Sequence, residues 1–286
     1  YPKRVVIFSP HPDDDIISMG GTFQRLHDQG HDVHVAYQTS GNIAVTDEFV
    51  TRFIDFAVGF EDVAGINNDK SEQIFDEVRS YLSRKRSNQV DTHQIRAIKG
   101  LIRRVEAKAT CRYVGINEEN VHFQNLPFYE TGTVEKKPMS EDDINLTIDL
   151  LRKIKPHQVF AAGDLADPHG THRVCLDIVL EALNRIKEAG DDWIKECWLW
   201  LYKGAWQEWN IEEIEMAIPM SPDQVVRKRY GIFIHQSQKD MVPFQGSDSR
   251  EFWQRAEERN ANTADLYAQL GLTHYAAMEA FVRFRY

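Results

Sequence analysis

Two short segments of the sequence carry residue types that bind divalent metals. His11, Asp13 and Asp14 lie close together, directly after an apolar run near the start of the chain. A histidine, an aspartate and a second histidine can hold zinc through three protein ligands and leave a fourth position open for water, as in catalytic zinc sites. The second histidine must come from elsewhere, and His169 and His172 are the candidates.

The predicted strands place both segments at one edge of a sheet. Val5-Val6-Ile7-Phe8 is typical of a strand buried on both faces of a parallel sheet. Gly20-Gly21 is expected to open the following helix, and residues 32–37 are predicted to form a second strand. A later strand is expected at 157–162, just before the two histidines. Ligands bind outside the carboxyl ends of such strands, so the segments should face one cleft.

The alternation of strands and helices predicts an α/β fold, namely a Rossmann-like, doubly wound and mostly parallel sheet with helices on both faces. We assign residues 1–286 to a single domain. A helical insertion is expected at about 47–94, because its amphipathic pattern is too long for a simple loop, and it should cover one side of the pocket. Ser140 and Asp143 are predicted to form a capping box on a helix that ends at Lys155-Pro156.

Charge and composition exclude several classes of partner. With 44 acidic and 34 basic residues the net charge is −10, which disfavours nucleic acid. The basic run Arg84-Lys85-Arg86 is expected in a solvated helix end. No run reaches the ~18 apolar residues of a membrane span. Cys111, Cys175 and Cys197 are odd in number and widely spaced, which favours a reducing compartment and a cytoplasmic location.

Each segment also fits a simpler role. An Asp-rich turn can merely cap a helix, and an isolated histidine is usually a hydrogen-bonded polar residue without a catalytic role. Their equivalent positions at strand ends favour a shared metal site.

Taken together, these motifs resemble those of the PIG-L/LmbE family of zinc-dependent N-deacetylases. The segment His11-Pro12-Asp13-Asp14 matches the first family motif, and His169-x-x-His172 matches the second. The resemblance extends over most of the chain through three weaker matches, namely Arg103-x-x-Glu106, His235-x-Ser237-Gln238 and Glu279-x-Phe281.

The resemblance implies a reaction and a role for each residue. The product would be a free amino sugar of the glucosamine type, released with acetate from its N-acetyl form. Zn²⁺ would supply the nucleophilic water and polarise the amide carbonyl. The implied metal ligands are His11, Asp14 and His172, the general base is Asp13, the acid or oxyanion partner is His169, and the substrate contact is Arg103.

Two positions depart from the family pattern. Asp15 stands where the family has a glutamate, and Thr171 stands where it has the acid that orients the first histidine of the second motif. Asp164 or Asp167 would have to orient His169 instead. Thr171 also favours an alternative function, a non-catalytic sugar-phosphate-binding domain that supports a fused glucosamine-6-phosphate deaminase.

The insertion, the segment Gly163-Asp164 and the stretch 233–240 resemble in particular the deacetylase-like domain fused behind glucosamine-6-phosphate deaminase in some bacteria. A start at Tyr1 instead of Met agrees with a fused chain. The implied substrate is N-acetylglucosamine or its 6-phosphate, the implied partner is a fused deaminase domain, and a homo-oligomer is left open.

Two further functions are less favoured. A phosphoester hydrolase would require more carboxylates or a second metal set. A nucleotide-binding module would require a Gly-rich loop after Phe8, which the sequence lacks.

Overall fold

The computed structural model describes residues 1–66, 69–86, 89–133, 135–163, 170–205, 207–239 and 250–286. The strands are β1 (Arg4–Ser9), β2 (Asp32–Tyr37), β3 (Val121–Phe123), β4 (Gln158–Ala162), β5 (Trp198–Tyr202), β6 (Met216–Met220) and β7 (Ala277–Phe284). The helices are α1 (Asp14–Asp28), α2 (Asp47–Ala64), α3 (Asp69–Arg84), α4 (His93–Val114), α5 (Glu141–Ile154), α6 (Thr171–Glu188), α7 (Pro222–Phe233) and α8 (Phe252–Gln269).

The strands form one sheet in the order β3-β2-β1-β4-β5-β7-β6. The first five strands in the chain pair in parallel, and β7 runs antiparallel to both β5 and β6. This confirms the predicted Rossmann-like, mostly parallel α/β fold. The chain moves outward from β1 in one direction to β2 and in the other to β4. The gap between the ends of β1 and β4 is therefore the topological switch point, where such sheets bind ligands.

Strand β1 explains why its sequence is continuously apolar. Val5 and Ile7 face a core formed with α1 and α4, whereas Val6 and Phe8 face a second core formed with α5 and α6. All four side chains are fully buried, because successive residues of a strand point to opposite faces and both faces carry helices.

Helix α1 begins earlier than predicted. The helix starts at Asp14, and its backbone departs from helical geometry at Met19 (φ −137°, ψ 28°). The predicted start at Gly20-Gly21 misses the first part of α1, but the helical segment after the break does begin at these glycines, which also serve close packing. A side chain at Gly21 would overlap Met220 of β6.

The predicted helical insertion is confirmed as two helices, α2 and α3. Both pack against the first half of α4. The predicted capping box at Ser140 and Asp143 and the end of α5 at Lys155 are also confirmed. The apolar contacts of the insertion involve Val50, Ile54, Val78, Ile95 and Ile102.

Lys85 contradicts the expectation that the run at 84–86 lies in solvent. Its Nζ lies 2.8 Å from Asp47 and 2.7 Å from Asp91. Lys99 of α4 bonds to the same two carboxylates at 2.7 and 2.8 Å. The two lysines and the two aspartates thus form a cluster of opposite charges that joins the insertion to α4. The spacing of these residues in the sequence does not reveal this cluster.

None of the helices in the described ranges is long and apolar enough to cross a bilayer. The three cysteines are buried free thiols.

A buried ion pair fixes the C-terminal strand. Glu279 of β7 accepts hydrogen bonds from the backbone N–H groups of Gly21 and Thr22 at 2.9 and 2.7 Å. Lys228 of α7 donates to Glu279 at 2.7 Å and to Asn260 of α8 at 2.9 Å. Burial opposes the ionisation of Glu279, but Lys228 outweighs it and holds the pKa of the carboxyl below its usual value.

Glu279→Gln is expected to lower the free energy of unfolding by about 3 kcal/mol, because it leaves the Lys228 ammonium buried without a counter-charge. Urea unfolding measures this loss. Asp192→Asn is the matched control, since it breaks an exposed pair with Lys195 and should leave the free energy of unfolding nearly unchanged. Equal losses in the two variants would show that the Lys228–Glu279 pair has no special structural role.

Candidate metal centre

The three predicted zinc ligands meet at the switch point. His11 follows β1, Asp14 is the first residue of α1, and His172 is the second residue of α6, which follows β4. Each contributes one donor atom, and these atoms all lie within 4.8 Å of one another. The neighbouring parallel strands β1 and β4 bring residues distant in sequence to one place, as the prediction required.

The distances within this cluster fit zinc. Oδ2 of Asp14 lies 3.2 Å from Nδ1 of His11 and 3.3 Å from Nε2 of His172. Zinc bonds of about 2.0–2.1 Å in a tetrahedral arrangement place neighbouring donors about 3.3 Å apart. Two imidazoles and one carboxylate are also the donor types that zinc prefers. The three residues can therefore hold the ion and leave a position open for water.

The surroundings keep Asp14 ionised. Burial alone would raise the pKa of the carboxyl, but His172 and His11 hold it well below its usual value. The backbone N–H of His11 also donates to Oδ2 of Asp14 at 2.8 Å. A metal ligand must be deprotonated, so this arrangement prepares Asp14 for a cation.

Asp13 does not act as a helix cap. It occupies the N-cap position of α1, yet its side chain makes no capping hydrogen bond. Instead, Nη2 of Arg103 donates to Oδ1 of Asp13 at 2.8 Å, and both side chains are buried. Burial raises the pKa of Asp13, while the guanidinium of Arg103 opposes that rise. These contacts disfavour the interpretation that Asp13 merely caps a helix.

Arg103 reaches Asp13 from the middle of α4. Gly41 lies against it, since a Cβ at Gly41 would be 3.3 Å from Cζ of Arg103. Gly41 has a φ of 62°, in the left-handed region that glycine tolerates without strain. The structure thus places the predicted substrate contact beside the predicted base.

Asp15, which replaces the family's glutamate, points into the sheet. Its Oδ2 accepts a hydrogen bond from Tyr37 at 2.9 Å, and its backbone N–H donates to Oγ of Ser9 at 3.0 Å. Burial raises the pKa of Asp15 to about 7. The shorter side chain therefore ties α1 to β1 and β2.

The remaining predicted residues are placed only in part. Thr171 is buried at the start of α6. His169, Asp164 and Asp167 lie outside the described residues, so the role of His169 and the identity of its orienting acid stay predictions.

Tyr129 was missed in the sequence. Its ring lies edge-on to His11, with 6.0 Å between centroids, and Nζ of Lys136 lies 3.7 Å from the Tyr129 ring centroid. Burial lowers the pKa of Lys136 to about 8. Tyr129 follows β3 in the chain, and its place shortly after an apolar segment was the available signal.

Residues from two of the weaker motif matches form hydrogen bonds on α4. The backbone N–H and Oγ of Ser237 donate to Glu106 at 2.7 and 2.6 Å. Nε2 of His235 lies 2.9 Å from Oγ1 of Thr110. Burial, aided by Arg103, lowers the pKa of His235 to about 3. These contacts hold in place the helix that carries Arg103.

Comparison with known proteins defines the class. The sequence model of the PIG-L family, described as GlcNAc-PI de-N-acetylase, matches residues 6–183, a range that includes His11, Asp14 and His172. The chain belongs to the PIG-L family. Membership confirms the predicted enzyme class, a hydrolase that acts on an amide bond.

A glucosamine-6-phosphate deaminase-like protein of Bacteroides thetaiotaomicron is 57% identical over 286 residues, which are 99% of this chain and 43% of that protein. The chain thus spans less than half the length of this relative. Among solved structures, the N,N'-diacetylchitobiose deacetylase of Pyrococcus horikoshii is 20% identical with a TM-score of 0.60, and the match covers 99% of this chain and 84% of the other.

The 4-carboxy-2-hydroxymuconate hydratase of Pseudomonas putida is 16% identical, with a TM-score of 0.61 and coverage of 99% and 97%. At these identities the likeness to both solved structures concerns the fold alone. Because one of them is a hydratase, the fold by itself does not identify the reaction.

Proposed function

We propose that the protein is a zinc-dependent hydrolase that removes the N-acetyl group from an amino sugar of the N-acetylglucosamine type. The observation that carries this proposal is the cluster of His11, Asp14 and His172 beside the buried Asp13–Arg103 pair. Membership in a family of de-N-acetylases supports it.

Zinc held by these three residues would supply a Lewis acid and lower the pKa of a water towards 7. Asp13 accepts the proton of the attacking water. Only Oδ1 of Asp13 is bonded within the described residues, so Oδ2 is left for that proton. Burial makes the carboxylate more basic, and Arg103 fixes its orientation.

Bond formation between the water oxygen and the amide carbon is followed by cleavage of the C–N bond. The departing nitrogen must take up a proton. We assign that donation, or stabilisation of the oxyanion, to His169, as its motif implies. Acetate and a free amine result.

Arg103 is proposed to contact the substrate as well as Asp13. Its Nε has no hydrogen-bond partner within the described part of the chain, so the guanidinium retains a donor. A hydroxyl or anionic group of the sugar would satisfy it.

The name and length of the Bacteroides relative support a place for this domain in a longer protein with a deaminase. Deacetylation of N-acetylglucosamine 6-phosphate would produce the amino sugar phosphate on which such a deaminase acts.

The alternative, a non-catalytic sugar-phosphate-binding role, is favoured by Thr171. The free thiols fit a cytoplasmic location.

Metal analysis combined with product release tests the proposal. The protein is incubated with N-acetylglucosamine, its 6-phosphate and N,N'-diacetylchitobiose, and acetate and phosphate are measured separately. We expect about one zinc per chain and acetate release without phosphate release. A zinc-loaded protein that releases no acetate from any of them would support the non-catalytic alternative.

A further inference from the structure

A second concave site lies on the flank of α4, at the carboxyl ends of β2 and β3. We call it the α4 cavity. Its volume is about 550 Å³, within the range of small-molecule sites. Its polar and charged lining residues are Ser40, His93, Arg96, Arg104, Asn125 and Glu130.

The two arginines of the α4 cavity lack anionic partners. Neither the Arg96 nor the Arg104 guanidinium forms an ion pair or hydrogen bond within the described ranges, although the net charge of the chain is −10. Nε of Arg96 is buried without an acceptor, and the guanidinium of Arg104 lies 4.6 Å from the Phe123 ring centroid. A buried donor without an acceptor costs free energy, which an anionic ligand would recover.

Glu130, the carboxylate in the lining, is already bonded within its own surroundings. It accepts hydrogen bonds from the backbone N–H of Ser40 at 3.3 Å and from Nδ2 of Asn42 at 3.0 Å. Its charge is thereby partly satisfied by neutral donors, and Arg96 and Arg104 remain available to a ligand.

The α4 cavity adjoins the candidate metal centre along two segments. Ser40 precedes Gly41, at which a Cβ would lie 2.9 Å from Cδ of Pro12, the residue between His11 and Asp13. Glu130 follows Tyr129, whose ring contacts His11. A substrate in the metal centre can therefore extend a substituent towards the cavity.

We propose that the α4 cavity binds the phosphate monoester of a phosphorylated amino sugar, with Arg96 and Arg104 as its charged donors. Planar guanidinium forks match phosphate oxygens geometrically. The two arginines are two helical turns apart on α4, and Gly100 between them also lines the cavity. The inference deepens the proposed function by naming the substrate's anionic group, and its kinetic test rests on that function.

A binding experiment tests the cavity without requiring catalysis. Inorganic phosphate is titrated calorimetrically into the zinc-loaded wild-type protein and into Arg96→Gln, Arg104→Gln and Arg112→Gln. Arg112 is exposed at the end of the same helix and is the matched control. We expect each cavity variant to bind phosphate about 10-fold more weakly than the wild type, with Arg112→Gln unchanged. Equal affinity in all four proteins would overturn the proposal.

A kinetic experiment then identifies the substrate. The ratio of kcat/KM for N-acetylglucosamine 6-phosphate to that for N-acetylglucosamine should exceed about 10 in the wild type and fall about 10-fold in each cavity variant. Arg96→Lys, which keeps the charge and loses the fork, should give an intermediate ratio. A wild-type ratio near one would overturn the substrate assignment. If neither sugar releases acetate, the proposed function fails, and the phosphate titration still decides the anion site.

Discussion

Asp13→Asn is expected to lower turnover by roughly 10²- to 10⁴-fold while zinc remains bound. The amide has nearly the same size, and its carbonyl oxygen can still accept the hydrogen bond from Arg103. It is a very poor proton acceptor at neutral pH, so the lost function is proton transfer. Acetate release and zinc content, measured on the same sample, check this prediction.

The control for Asp13→Asn is Asp142→Asn, which changes an exposed aspartate in the first turn of α5. The control should retain wild-type turnover. Thermal unfolding of both variants shows whether the fold survives the loss of charge beside Arg103. A folded Asp13→Asn protein that works at the wild-type rate, or that has lost its zinc, would refute the general-base role.

Asp14→Ala is expected to abolish zinc binding and activity together. Asp14 is the carboxylate that lies within 3.3 Å of both histidines, and its removal leaves two of three protein ligands. Zinc content after dialysis and acetate release should fall in parallel. Asp142→Ala is the matched control in a first helical turn. Full zinc occupancy in Asp14→Ala would show that the ion is held elsewhere.

The sequence brought the candidate ligands together because part of the information is local. His11 and Asp14 follow one strand and His172 follows another, and the parallel pairing of these strands brings their ends to one edge of the sheet. The resemblance to the PIG-L family then singled out these three residues among the candidates at that edge. The apolar run at Val5-Val6-Ile7-Phe8 carried a similarly local signal, since full burial on both faces requires it.

What the sequence did not predict depends on contacts between distant residues. The bond between Arg103 and Asp13 joins α4 to the turn after β1, and no spacing rule relates them. Lys85 was expected in solvent because its carboxylate partners, Asp47 and Asp91, do not stand at a regular spacing from it in the sequence. The part of α1 before its break at Met19 was missed, whereas the helical segment that follows begins at the predicted Gly20.

Glu279, near the C-terminal end, was identified in the sequence, but its structural role was not. The sequence singled out Glu279 as part of a match, and the structure gives it four hydrogen bonds in the core instead of a place in the site. A motif residue can thus serve the fold that positions the chemistry.

The most direct test of the central claim is a zinc titration of the metal-free protein, followed by acetate release from N-acetylglucosamine and its 6-phosphate. We predict that activity rises with added zinc and saturates at about one ion per chain, and that His172→Ala shows no such rise. Acetate release that is complete before zinc is added, or that saturates equally in His172→Ala, would contradict it.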